Sequence, residues 1–456
     1  MIINTGYFFQ VYTFITLVFC GLVQYFTGIG AVLWLPFLIA MAMPILWLMQ
    51  RNFEQLALDY KEKVVLFLFL GFFIMAVLST VIQNGVLITI VGLKNELALS
   101  LILCMFLLGF CRESQIYRIT QSLYLIFYIQ LPIIIYQVFV IVPQRVASEG
   151  DYEKWDSVVG SFGGNPMGGG NSAAMGLFCL LIMLLKLSEY KHGTTSRANM
   201  IVHVAIAFFL CILGEIKFVI LISPLLMAYV WLSPSYIKGV KSYDMKMIIG
   251  IIAGMFLLIS VAITILAASY QSAFGADPSK SSLDIFMDSA AYVFDPHYVM
   301  PSGALGRMTT IFFWLENGDH YGLPSLLFGY GLNATNHGSA VSPGFLNILF
   351  NVEIDTTSLS MILWELGIIG TLFFIGMVLY VLKICKPYPL INKEELGSKD
   401  IELISYIPAF NAFALGGLLT LPYSQILMLT PMLQFLFYYS LGATLVIRHS
   451  IVKVAR

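Results

Sequence analysis

The chain has 456 residues, 59% of them hydrophobic and 11% charged, with a formal net charge of −1. A mean hydropathy of +0.87 lies far outside the range of soluble globular domains. Charge this sparse leaves no basic surface for nucleic acid, and the alternation of an outer-membrane β-barrel is absent.

Apolar stretches long enough to cross a bilayer, about 20 residues each, recur throughout. The expected class is therefore an all-α polytopic membrane protein forming a single integral domain over 1–456. Hydropathy and turn signals predict about twelve transmembrane helices, at 7–27, 29–49, 64–83, 97–111, 122–142, 171–185, 200–213, 218–232, 247–268, 358–382, 401–420 and 424–447. The fourth is short and can begin earlier, in VLITIVGL, which would bury Lys94 and Glu96 near the interface. The opening MIINTGYFFQ has no basic n-region, so the first apolar segment is expected to be a retained anchor. Cys20, Cys104, Cys111, Cys179, Cys211 and Cys385 show no C-x-x-C spacing and are expected as buried small apolar residues, without a disulfide or zinc.

Lysine and arginine divide 18 to 6 between alternate sides of these spans, with Lys94, Arg145, Lys154, Lys217, Lys280 and Arg307 on the poorer side. By the positive-inside rule the richer side is cytoplasmic, and both termini lie there. Two long loops then face outward, at 142–170 and, between spans nine and ten, at 269–357. Long connections on a membrane protein usually carry function. The internal repeat that marks many secondary transporters is absent.

The densest polar chemistry lies between Gly306 and Gly370. It comprises Arg307, Glu316, Asp319, Glu353, Asp355, His320, His337, the turn Gly329-Tyr330-Gly331 and, inside the following apolar helix, Glu365. An arginine offers a planar fork that suits phosphate or pyrophosphate; ion pairing of Arg307 with Glu316 is the alternative. Lys217, with Glu215, interrupts two apolar runs. It is either a functional charge at membrane depth or part of a short outward turn. The stretch GSFGGNPMGGGN, with Asn165, can hold an anion on backbone N–H groups or simply permit a re-entrant turn or close helix packing. His337 is the candidate general base among the outer-side histidines. Neither H-x-x-x-H nor H-E-x-x-H spacing occurs, so no metal and no other cofactor is expected.

Taken in order, SFGGNPMGGGNSAAMG, GEIK, GRMTTIFFWLEN, LLFGYGLNATNHG and EIDTTSLSMILWELGIIG resemble the O-antigen polymerase and O-antigen ligase superfamily of GT-C-type membrane glycosyltransferases. The resemblance covers about residues 155–375. It implies that Arg307 is the essential outer-loop arginine and that Lys217 stands where many members carry arginine. Asp355 and Leu359 would fall on the polar-Leu element. EIDTTSL lacks the ligase histidine, which favours a polymerase.

The implied function is metal-independent polymerisation of undecaprenyl-diphosphate-linked oligosaccharide repeats for O-antigen, capsule or exopolysaccharide, on the outer face of the cytoplasmic (inner) membrane. Arg307, His337 and Asp355 would be catalytic. Asn165, Lys217, Gly329, Tyr330, Gly331 and Glu365 would bind substrate. Partners would be the lipid-linked glycans, membrane lipids, a chain-length regulator and a flippase. A ligase-type glycan transferase, or a lipid-glycan flippase or transporter, is the alternative.

Overall fold

Lipid offers the backbone no hydrogen-bond partners, so apolar stretches satisfy their own N–H and C=O groups as helix. The computed structural model describes residues 5–49, 58–149, 154–168, 171–240, 293–300, 302–339 and 342–454, with isolated positions between 246 and 284. Among the described residues, eight helical runs are long and apolar enough to cross a membrane. They are α1 (Tyr7–Thr27), α2 (Gly30–Met49), α3 (Tyr60–Leu107), α4 (Glu113–Ser148), α5 (Ser172–His192), α11 (Ser358–Ile384), α12 (Ser398–Thr420) and α13 (Pro431–Val452). Two shorter apolar helices, α6 (Arg197–Leu213) and α7 (Lys217–Leu232), follow α5. Between α7 and α11 lie α8 (Arg307–Asn317), α9 (Leu323–Phe328) and α10 (Phe345–Phe350). The expected span at 247–268 and the first part of the long loop, including Lys280, lie largely outside the described residues.

The centre of the bundle is α5 and α13, each with 89% of its apolar window buried in protein, whereas α2 has 22%. The outer helices present Leu48, Phe67, Ile82 and Phe139, all strongly exposed, as expected of a lipid-facing surface. All six cysteines are free and buried.

The expected spans 64–83 and 97–111 form one continuous helical run, α3, which turns back at Gly85. There the backbone leaves the helix (φ 80°, ψ 174°). A straight helix would hold Thr80 and Gly92 about 18 Å apart. Instead both meet Leu332: Thr80 Oγ1 accepts from the Leu332 N–H at 2.8 Å, and a Cβ on Gly92 would sit 2.5 Å from Leu332 Cβ. The returning arm begins before 97, and Glu96 is buried in it.

Ionic contacts gather at one end of the bundle. Asp59 and Glu62 form a capping box at the start of α3. Arg448 near the end of α13 donates to both carboxylates at 2.8 Å, and His449 Nδ1 lies 2.8 Å from Glu62. The opposite end holds the glycine-rich stretch after α4. Gln137 accepts from the Val159 and Gly160 N–H groups at 3.0 and 2.8 Å and donates back to the Gly160 carbonyl. Gln130 accepts from Ser161 N–H at 2.7 Å, and Gln24 from Gly164 N–H at 3.2 Å. The structure packs this stretch into the bundle, with Val158–Gly163 buried and three glutamines replacing water.

A second backbone clamp positions the candidate site. α11 breaks at Gly367 (φ 64°, ψ −169°). The carbonyls of Trp364 and Glu365, just before the break, accept instead from the N–H groups of Tyr330 and Gly331, both at 2.9 Å. A Cβ on Gly329 would lie 2.3 Å from Glu365 backbone atoms, and one on Gly367 2.5 Å from those of Leu327. Only glycine permits this approach at positive φ. Gly367→Ala is therefore expected to destabilise the protein by about 1–3 kcal/mol. Gly376→Ala, on the same helix with open space around it, should be neutral or stabilising. Thermal unfolding in detergent compares the two; equal melting temperatures would refute the clamp.

Candidate functional site

α8 starts at Arg307, and its polar face ties it to α11: Thr310 Oγ1 lies 2.8 Å from both the Ile354 carbonyl and Ser360 Oγ. Its apolar face, with Trp314 buried, joins an aromatic cluster of Phe313, Tyr330, Phe350 and Trp364. The alternative pairing of Arg307 with Glu316 does not fit this helix. Nine residues advance about 14 Å and place the two on opposite faces. Arg307 instead lies over the Tyr423 ring, with its guanidinium carbon 3.6 Å from the centroid. The other face of this assembly is Phe218, stacked on Tyr423 with centroids 4.5 Å apart and planes at 24°. Lys217, adjoining Phe218, begins α7 at the same corner, after a turn in which Glu215 takes a positive φ of 50°. Arg307 and the start of α7 at Phe218, distant in sequence, are thus brought to one aromatic corner, with Lys217 next in the chain.

His337 and Asp355 also come together. Asp355 Oδ2 accepts from the His337 backbone N–H at 2.9 Å, and His337 Nε2 lies 3.3 Å from Glu353 Oε1. The histidine ring is exposed while Asp355 is buried. Burial pushes the Asp355 carboxyl up from its ordinary value to about 6, against the lowering effect of the His337 hydrogen bond.

The other expected site residues are placed differently. Tyr330 is buried, its hydroxyl donating to the Gly318 carbonyl at 3.1 Å, so the Gly329-Tyr330-Gly331 turn is chiefly the clamp on α11. Gly329 also lines an apolar groove of about 930 Å³ between the first arm of α3 and α9, with Phe67, Leu70, Ile74, Leu78, Pro324 and Phe328. Glu365 is wholly buried and accepts from both the N–H and the hydroxyl of Thr335, at 3.0 and 2.7 Å. Asn165 is exposed and accepts from Met167 N–H within its own loop. Leu359 N–H donates to the Leu421 carbonyl at 2.8 Å, fixing the start of α11. Asp319 and His320 are exposed on the turn after α8.

Tyr423 and Phe218 were not singled out from sequence, and Glu96 was named only as a residue that an early start of the fourth span would bury. An acid inside an apolar run is a signal in itself, and Glu96 carried it; the aromatic pair had none beyond the polar break PYSQ. Among the described residues, no group of three or more His, Cys, Asp or Glu is arranged to hold a metal ion. Comparison with protein-family models gives no match, and comparison with curated proteins gives none either.

Asp355 yields a pH prediction. Its folded-state value lies above its unfolded one, so its stabilising contribution is full below about pH 4 and is lost as pH rises through about 6. At neutral pH the buried charge costs roughly 3 kcal/mol relative to the protonated state. Asp355→Asn should melt higher than the parent at pH 7, with the difference vanishing towards pH 4. A pH-independent difference would refute the assignment.

Proposed function

We propose that the protein is a membrane glycosyltransferase that polymerises oligosaccharide units carried on undecaprenyl diphosphate. The observation that carries this reading is the aromatic corner where Arg307 lies over Tyr423 and Phe218, the neighbour of Lys217, stacks on the same ring; both cations are expected on the outer side. The leaving group in such a reaction is a diphosphate, whose negative charge grows as the glycosidic C–O bond breaks. A guanidinium whose carbon lies 3.6 Å from the Tyr423 ring centroid can rest against the ring and still direct N–H donors at an anion. Donors fixed in this way stabilise developing charge without reorganisation.

The acceptor hydroxyl would attack the anomeric carbon and lose its proton to Asp355. A carboxylate poised near 6 is well matched to accept it at neutral pH. His337, beside Asp355 and exposed, would orient the acceptor sugar. The groove lined by α3 and α9 supports a substrate with a long isoprenoid tail, since its walls are almost wholly apolar and it adjoins Gly329. In this reading the chain has about twelve spans in the cytoplasmic membrane. The two long loops face outward and both termini face the cytoplasm.

Arg307→Ala should abolish the polymer ladder on glycan gels at unchanged membrane expression, a loss on the order of a hundredfold or more. Arg307→Lys should retain part of the activity, because a point charge replaces the fork. A full ladder from Arg307→Ala would end this mechanism. Lipid analysis of a deletion strain separates the enzyme classes: single repeat units on lipid indicate a polymerase, long chains on lipid a ligase. Orientation is tested by thiol labelling in intact cells, with a low background because the native cysteines are buried. A cysteine at Ser281 should react from outside and one at Ser398 should not; the reverse pattern would overturn the topology.

A further inference from the structure

Glu96, on the returning arm of α3, and Glu365, ahead of the break in α11, face one another at the point where the 329–337 segment enters the bundle. Both are buried, at 1% and 0% exposure. Each uses one carboxyl oxygen to hold that segment. Glu96 Oε2 accepts from the Asn333 N–H at 3.1 Å, and Glu365 Oε1 accepts from the Thr335 N–H and hydroxyl. The remaining oxygens, Glu96 Oε1 and Glu365 Oε2, have no donor among the described residues, and the two carboxyls lie within hydrogen-bonding reach of each other.

Among the described residues, the surroundings supply no counter-charge. Lys94 is turned to Asn95 Oδ1 at 2.9 Å and towards the Trp34 ring. Gln434, packed from α13, donates to the Asn95 carbonyl at 2.9 Å and is neutral. The further charged group acting on Glu96 is Asp355, also an acid. Two carboxylates in contact, buried and without a cation, cannot both be ionised. Two unpartnered oxygens facing each other are satisfied by one hydrogen between them.

We propose that Glu96 and Glu365 form a proton-binding site that holds a single shared proton and latches the Asn333–Thr335 backbone between α3 and α11. The proton resides on Glu96 and is donated to Glu365. Glu365 is the better-supported carboxylate, because it accepts two further hydrogen bonds where Glu96 accepts one. The latch lies two residues before His337, so its protonation fixes the wall on which His337 and Asp355 stand. Glu96 is thereby a positioning residue rather than one that touches substrate.

The hydrogen-bond pattern makes the latch testable without any assay of activity. In Glu96→Gln the amide N–H replaces the shared hydrogen and the amide oxygen still accepts from Asn333. Glu365→Gln is satisfied in the mirror sense, with Glu96 ionised, so both single variants should remain folded. The double variant puts two NH2 groups face to face and should melt below both singles. The decisive measurement is the infrared carbonyl band of protonated carboxyls, recorded on purified protein at about pH 8, where Asp355 is ionised. Each single variant and the double should lose the same amount of band relative to the parent, because one proton serves two acids. A loss in the double equal to the sum of the two single losses would show two separately protonated acids and overturn the proposal. No loss in any variant would show both acids ionised, for example around a monovalent cation, and would overturn it too.

Discussion

The structure depends on one constraint above the others: a helix broken inside an apolar bundle must have its freed carbonyls satisfied by protein. Gly367 breaks α11, and the carbonyls of Trp364 and Glu365 would otherwise be stranded where there is no water. The N–H groups of Tyr330 and Gly331 meet them. That exchange draws the Gly329–Asn336 segment into the bundle, and every residue of the segment is buried as a result. Its polar groups then need partners in turn. Thr80, Asn84, Asn95, Glu96 and Glu365 supply them from α3 and α11. One glycine thus requires a polar lining on two helices.

The same logic governs the first long loop. Its glycines fit close against α1, where a Cβ on Gly21 would lie 1.9 Å from the Ser161 carbonyl oxygen. Gln24, Gln130 and Gln137 take the place of water for its backbone. Glutamine suits this role because one amide both donates and accepts, and it adds no charge to the membrane interior. Glycine-rich sequence here serves backbone packing, whereas the aromatic corner serves charge. Tyr423, stacked on Phe218, gives Arg307 a rigid apolar face, and a fixed guanidinium fork is better suited to hold an anion than one free to rotate.

Membrane class and the approximate positions of the apolar helices were legible in the sequence, because a run of about 20 apolar residues has few other uses. Arg307, Asp355 and Glu365 could be picked out for the reason that ionisable groups are rare in such a chain and costly when buried. Hydropathy separated the spans 64–83 and 97–111 but could not show that they are one helical run whose reversal falls at Gly85. The residues on both arms are equally apolar, and the reversal is held by contacts with Leu332, far along the chain.

What the sequence determined by itself was local: helix where the backbone must satisfy itself, turns where glycine and proline cluster, and charge where solvent or a ligand can meet it. Tertiary structure alone decided the pairings. Tyr423 under Arg307, Thr335 on Glu365 and Glu96 opposite Glu365 are each separated by tens of residues or more. No periodicity encodes such contacts, because they arise only when the broken helix recruits the loop that its open carbonyls require.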